Sequence, residues 1–153
     1  MTSLIECVNV CRAEKKSVIA CIRECIHGGD KPSPPPSLFS IVYKATGCKN
    51  IHIPDKHLYL PTNFDMKRWL SIDKTDKKEY RPEIWDCDDS ARTVWNNIRN
   101  IALNEGKNIA FALIWTTSHA LNLYVNNELK VVYIEPQTDL ETTIHSKPRF
   151  VIF

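Results

Sequence analysis

The chain has 153 residues, 43% apolar and 25% charged, and its 20 basic and 18 acidic residues leave a formal charge of +2. This length supports one domain with a sizeable core, and the composition is that of a soluble globular protein. The balanced charge excludes nucleic acid as the main partner, and no apolar run approaches the ~18 residues of a membrane span.

The N-terminus, MTSLIECVNVCRAEKKS, carries Glu6 and lacks a basic start followed by an apolar stretch. No signal peptide is read, and a cytoplasmic or virion-associated location is expected. Residues 1–27 are expected to hold an amphipathic helix. Leu4, Cys7, Val8, Cys11, Val18, Cys21, Ile22 and Cys25 recur at three- and four-residue steps, and Gly28-Gly29 ends the pattern. In one continuous helix the four cysteines share a stripe that could dock on the domain or on a second copy. The spacing also resembles twin helical hairpins with two disulfides, and four thiolates binding zinc is a third option. The proline-rich residues 28–37 read as an extended linker.

The main domain is expected over residues 38–153. SLFSIVYKATG, residues 37–47, suggests a strand, and DMKRWLSI a short helix over Trp69 and Leu70. From Asp86 the pattern is clearer. Ala91, Val94, Trp95, Ile98, Ala102 and Leu103 make one helical stripe that stops at Gly106. NIAFALIWTT, HALNLYV and LKVVYIEP then read as strands, and PRFVIF as another.

A three-residue loop at Asn126-Asn127-Glu128, with an asparagine in the left-handed conformation, sets Val125 opposite Leu129 and His119 opposite Glu135. One strand face then carries Leu121, Leu123, Val125, Leu129, Val131 and Tyr133, and turns polar at its open end with Thr117, His119, Glu135 and Gln137. The other face, with Asn122, Tyr124 and Lys130, is more polar. Cys87 falls at the start of the preceding helix, where free N–H groups favour a thiolate. Cysteine, histidine and an acid are the parts of a thiol-nucleophile site. Each also has a plain structural reading: a buried inert thiol, a satisfied strand histidine, and a glutamate ending a strand before Pro136. Asp86, Asp88 and Asp89 oppose a thiolate at Cys87. Asp86 or Asp88 also fits a cap on the first turn of that helix.

YRPEIWDCDDSA, followed by SHALNLYV and VYIEPQTD, resembles the papain-like domain of the fungal Marasmius agglutinins and of related phage or bacterial proteins. The match covers about Tyr80 to Asp139. The resemblance implies a papain-like α+β fold, with a helix packed on an antiparallel sheet. It implies Cys87 as nucleophile, His119 as base and Glu135 as the group orienting the histidine. Gln137, Tyr80 and Trp85 are the implied substrate contacts, and Asp86, Asp88 and Asp89 the calcium ligands. Two departures stand out: the family's sugar-binding β-trefoil has no counterpart in this sequence, and Ser118 replaces the glycine before the histidine. The expected function is a thiol-dependent hydrolase acting on a peptide or protein, activated by Ca²⁺. The alternative is a non-catalytic, metal-stabilised binding or virion/host-interaction module of the same fold.

Overall fold

A computed structural model describes residues 36–153. The expected N-terminal helix with Cys7, Cys11, Cys21 and Cys25, its self-association surface and most of the linker lie outside the described residues.

The strand expected at residues 37–47 is a helix, α1 (Leu38–Thr46). Leu38, Ile41, Val42 and Ala45 fall at helical steps, and both ends are punctuated. The Ser37 hydroxyl accepts from the Ser40 N–H at 3.1 Å. Gly47, at φ 68°, donates its N–H to the Tyr43 carbonyl at 2.8 Å. These caps outweigh the strand preference of Ile41 and Val42.

Helix α2 (Asn63–Ile72) opens on a reciprocal capping box. The Asp65 N–H donates to the Thr62 hydroxyl at 3.0 Å, and the Thr62 N–H to the Asp65 carboxylate at 3.1 Å. Trp69 and Leu70 are buried, as the apolar pattern requires. A short 3₁₀ turn (Thr75–Lys77) follows. Helix α3 (Cys87–Asn104) begins at an Asp86 cap. It buries Ala91, Val94, Ile98 and Ala102 completely, whereas Leu103, expected in that stripe, is half exposed.

The sheet contains β1 (Ile51–His52), β2 (Phe111–Thr116), β3 (Ala120–Val125), β4 (Val131–Glu135), β5 (Leu140–Thr142) and β6 (Pro148–Ile152), in the order β1-β6-β2-β3-β4-β5. The α+β class is as expected. The sheet is mixed rather than antiparallel, because β1 pairs parallel to β6.

The β3–β4 loop has three residues, one position later than expected. Val125 pairs with Val131, and the Asn126 N–H donates to the Lys130 carbonyl at 2.9 Å. The left-handed residue is Leu129, at φ 61°, not an asparagine. Asn126 instead organises the loop with its side chain, its Oδ1 accepting from the Glu128 and Lys130 N–H groups at 3.0 and 2.9 Å. The register moves by two residues, an even number, so every side chain keeps its expected face.

Both faces of the sheet are covered. Ala112, Ile114, Leu121, Leu123, Val125 and Val151 pack with Val42 of α1. Phe111, Tyr124 and Ile134 pack with Met66 and Trp69 of α2 and with Val94 and Ile98 of α3. Every residue of β3 is buried, including the polar ones. Asn122 donates to the Ala91 carbonyl of α3 at 3.0 Å, and the Tyr124 hydroxyl to Asn63 Oδ1 at 3.1 Å.

Candidate functional site

Two polar groupings stand at the same end of the sequence pattern but on different layers of the fold. The first is the start of α3. Asp86 Oδ1 accepts from the Asp88 N–H at 3.2 Å, and the Asp89 carboxylate from the Asp86 N–H at 3.4 Å. Arg92, one turn on, pairs with Asp89 and reaches Asp88 at 3.2 Å. One ligand atom from each of Asp86, Cys87 and Asp88 lies within 4.8 Å of the other two. The approach of two carboxyls splits their acidities. The hydrogen bond shared with Asp88 holds Asp86 below the usual aspartate range, and the same contact, with burial, pushes Asp88 up. A shared proton or a bound cation would relieve this crowding. Asp89, engaged by Arg92 and the cap, stands apart from the trio.

The second grouping is at the β3 and β4 ends. His119 Nε2 lies 2.8 Å from Glu135 Oε2, so the two residues meet as expected despite the moved register. In the neutral ring, with the carboxylate ionised, Nε2 donates and Nδ1 is left as an acceptor. Thr116 holds the turn that presents the histidine. Its hydroxyl donates to the His119 carbonyl at 2.8 Å and accepts from the His119 N–H at 3.0 Å and the Ser146 hydroxyl at 2.6 Å. A cavity of about 110 Å³ opens here, lined by His119, Glu135, Ser118, Thr142, Thr143, His145 and Ser146 among others. Ser118, at the position where a glycine was noted as usual, is part of this wall. Gln137 stays beside Glu135, its N–H 3.4 Å from Oε1.

Thr142, Thr143, His145 and Ser146 were not anticipated. They come from β5 and the following loop, where no apolar periodicity marks a strand.

Cys87 does not join this cavity. It packs with Ala91, Leu113 and Ala120 on the α3 side of the sheet, whereas Leu121 and Tyr133, on the His119–Glu135 side, belong to the α1 layer. Among the described residues no hydrogen bond links the Cys87 thiol to His119. Tyr80 and Trp85 also sit away from the cavity. Tyr80 is about half exposed. Trp85 closes a turn with Arg81 through backbone bonds of 2.8 and 2.9 Å and stacks beneath the Lys78 ammonium, 3.7 Å from its ring centre.

Two solved structures resemble this fold. One, described as the PSL1a–E64 complex, is 21% identical with a TM-score of 0.66, covering 76% of this chain and 49% of that chain. The other is Polyporus squamosus lectin bound to a human-type influenza-binding epitope, a sialylated trisaccharide. It is 24% identical with a TM-score of 0.58, covering 68% of this chain and 42% of that chain. The fold is similar to that of Polyporus squamosus lectin. This chain spans about half the length of these structures or less. No family model and no curated protein matches it.

These findings correct the expected cysteine peptidase. The fold resembles part of Polyporus squamosus lectin, so the papain-like assignment, the hydrolase reading and the peptide substrate are withdrawn. Among the described residues no helix is long and apolar enough to cross a membrane.

Proposed function

We propose that this domain is a non-catalytic binding module for glycans, anchoring a ligand edge in the cavity beside His119 and Glu135. The observation that carries this reading is the chemistry of the cavity wall. Five hydroxyl side chains, two imidazoles and one carboxylate line a single small opening. Hydroxyls both donate and accept, so they suit a ligand that is itself a set of hydroxyls, and Glu135 adds a strong acceptor. At about 110 Å³ the cavity is below the usual size of a complete small-molecule site. It takes one substituent of a terminal sugar, and the rest of the glycan lies across the surface.

Asp86 and Asp88 would hold Ca²⁺ in this module as a stabiliser of the α3 start. The carboxylates suit that hard ion and the adjacent thiol does not, so further oxygens would come from backbone and water.

Titration calorimetry with the sialylated trisaccharide and its asialo form, beside a glycan array, tests the reading. Binding is expected, weakened about tenfold or more by Glu135→Gln, which removes a charged acceptor. Two results together overturn it: no glycan retained on the array, and alkylation of Cys87 by iodoacetamide faster than a free thiol and slowed by His119→Ala.

A further inference from the structure

The turn between β4 and β5, residues 136–139, leads directly out of the His119–Glu135 cavity. The Thr138 and Asp139 N–H groups both donate to the Glu135 carbonyl, at 3.1 and 2.9 Å. Asp139 sits in the left-handed region at φ 59°, a conformation that aspartate takes more readily than most residues. Among the described residues its Oδ1 is shut off from solvent and has no hydrogen-bond partner, and the same is true of Asp76 Oδ1 in the 3₁₀ turn.

The charged groups facing Asp139 are the carboxyls of Asp76 and Asp73 and the ammonium groups of Lys77 and Lys74. Three of them are committed elsewhere. Asp73 accepts from the Thr75 N–H and hydroxyl and from Asn97 Nδ2. Lys77 pairs with the other oxygen of Asp76, and Lys74 donates to the Ser71 carbonyl. Two enclosed acceptors therefore lack a donor between them, and a proton is the donor the cluster is short of.

We propose that the Asp139 carboxyl is a proton-operated latch, seating the 136–139 turn against the Thr75–Lys77 turn when protonated and releasing it when ionised. Burial, then the charges of Asp76 and Asp73, push the Asp139 carboxyl up to about 7. The sign follows from linkage. A seated turn whose acid is weaker than in the free turn is favoured at low pH, and loses that advantage as pH rises from the ordinary aspartate range through neutrality. Resting on the binding reading above, glycan affinity falls over the same interval, because the turn carries Gln137 and hangs from the Glu135 carbonyl.

Amide hydrogen exchange at Thr138 and Asp139 tests the latch without any ligand. After correction for intrinsic exchange, protection is expected to fall about fivefold or more between about pH 6 and pH 8 in the unaltered protein. In Asp139→Asn it stays flat, and in Asp76→Asn the midpoint moves to lower pH as a facing charge is lost. Protection that is flat in the unaltered protein, or that falls equally in Asp139→Asn, overturns the proposal. So does a midpoint that moves with added CaCl₂, which would assign the cluster to a cation. Failure of the glycan titration leaves the exchange result intact, so the two readings fail separately.

Discussion

Asn122 is the side chain by which the sheet grips the first turns of α3, and Asn122→Asp tests that grip with almost no change of shape. The residue is completely buried. Its Nδ2 donates to the Ala91 carbonyl at 3.0 Å and to the Ala112 carbonyl at 3.4 Å, and its Oδ1 has no partner among the described residues. The substitution replaces the donor by an acceptor, so a carboxylate would face two carbonyl oxygens with nothing to take its charge. Two lost hydrogen bonds at about 1 kcal/mol each, with an unpaired buried charge, put the cost at about 3–5 kcal/mol at neutral pH. A protonated carboxyl can donate to Ala91 and recover most of that. The native state thus raises the pKa of the new acid. The deficit is small below the ordinary aspartate range and grows by about 1.4 kcal/mol per pH unit up to the native midpoint. Urea unfolding near pH 4.5 and again near pH 7.5 measures both ends. An equal deficit at the two pH values would refute the reasoning, because the loss would then come from geometry and not from charge.

Two further expectations concern the segment before and at the start of α3. Millimolar CaCl₂ is expected to raise the thermal midpoint by about 3 °C through binding to the folded state, and Asp88→Asn to abolish that shift; a midpoint indifferent to calcium removes the cation from the site. Glu83, exposed at φ 62°, holds a conformation that costs an ordinary residue about 1 kcal/mol. Glu83→Gly is therefore expected to raise the thermal midpoint by about 2–4 °C, and a lowered midpoint would show that its side chain contributes more than its backbone costs.

Much of the fold can be read from residues whose meaning is local. The α3 start is legible in Asp86, which caps, and its end in Gly106, at φ 73°. The Thr62–Asp65 box marks α2 in the same way. The α1 segment misleads because Ile41 and Val42 favour a strand while Ser37 and Gly47 punctuate a helix, and the punctuation prevails. The edge strands β1 and β5 are two and three residues long. They exist because a neighbouring strand offers free backbone groups, which no pattern in so short a segment can announce. Thr142, Thr143, His145 and Ser146 enter the cavity through that same edge, and so were invisible beforehand.

Strand alternation states which residues share a face but not what covers that face. Alternation sets His119, Leu121, Leu123 and Val125 on one face, and leaves open which helix lies over them. The structure lays α1 over that face and α3 over the other, where Asn122 and Tyr124 bond to the helices. Polar residues in β3 therefore marked a buried, hydrogen-bonded layer and not a solvated one. Once that layer belongs to α3, Cys87 packs among Ala91, Leu113 and Ala120 while His119 turns to Glu135. The even shift of register explains why the His119–Glu135 contact survived. A slip of one residue would have reversed the face of every β4 side chain, sending Glu135 away from His119. The pair is thus fixed by parity, and the packing of Cys87 against Ala91, Leu113 and Ala120 by the helix that covers the other side of the sheet.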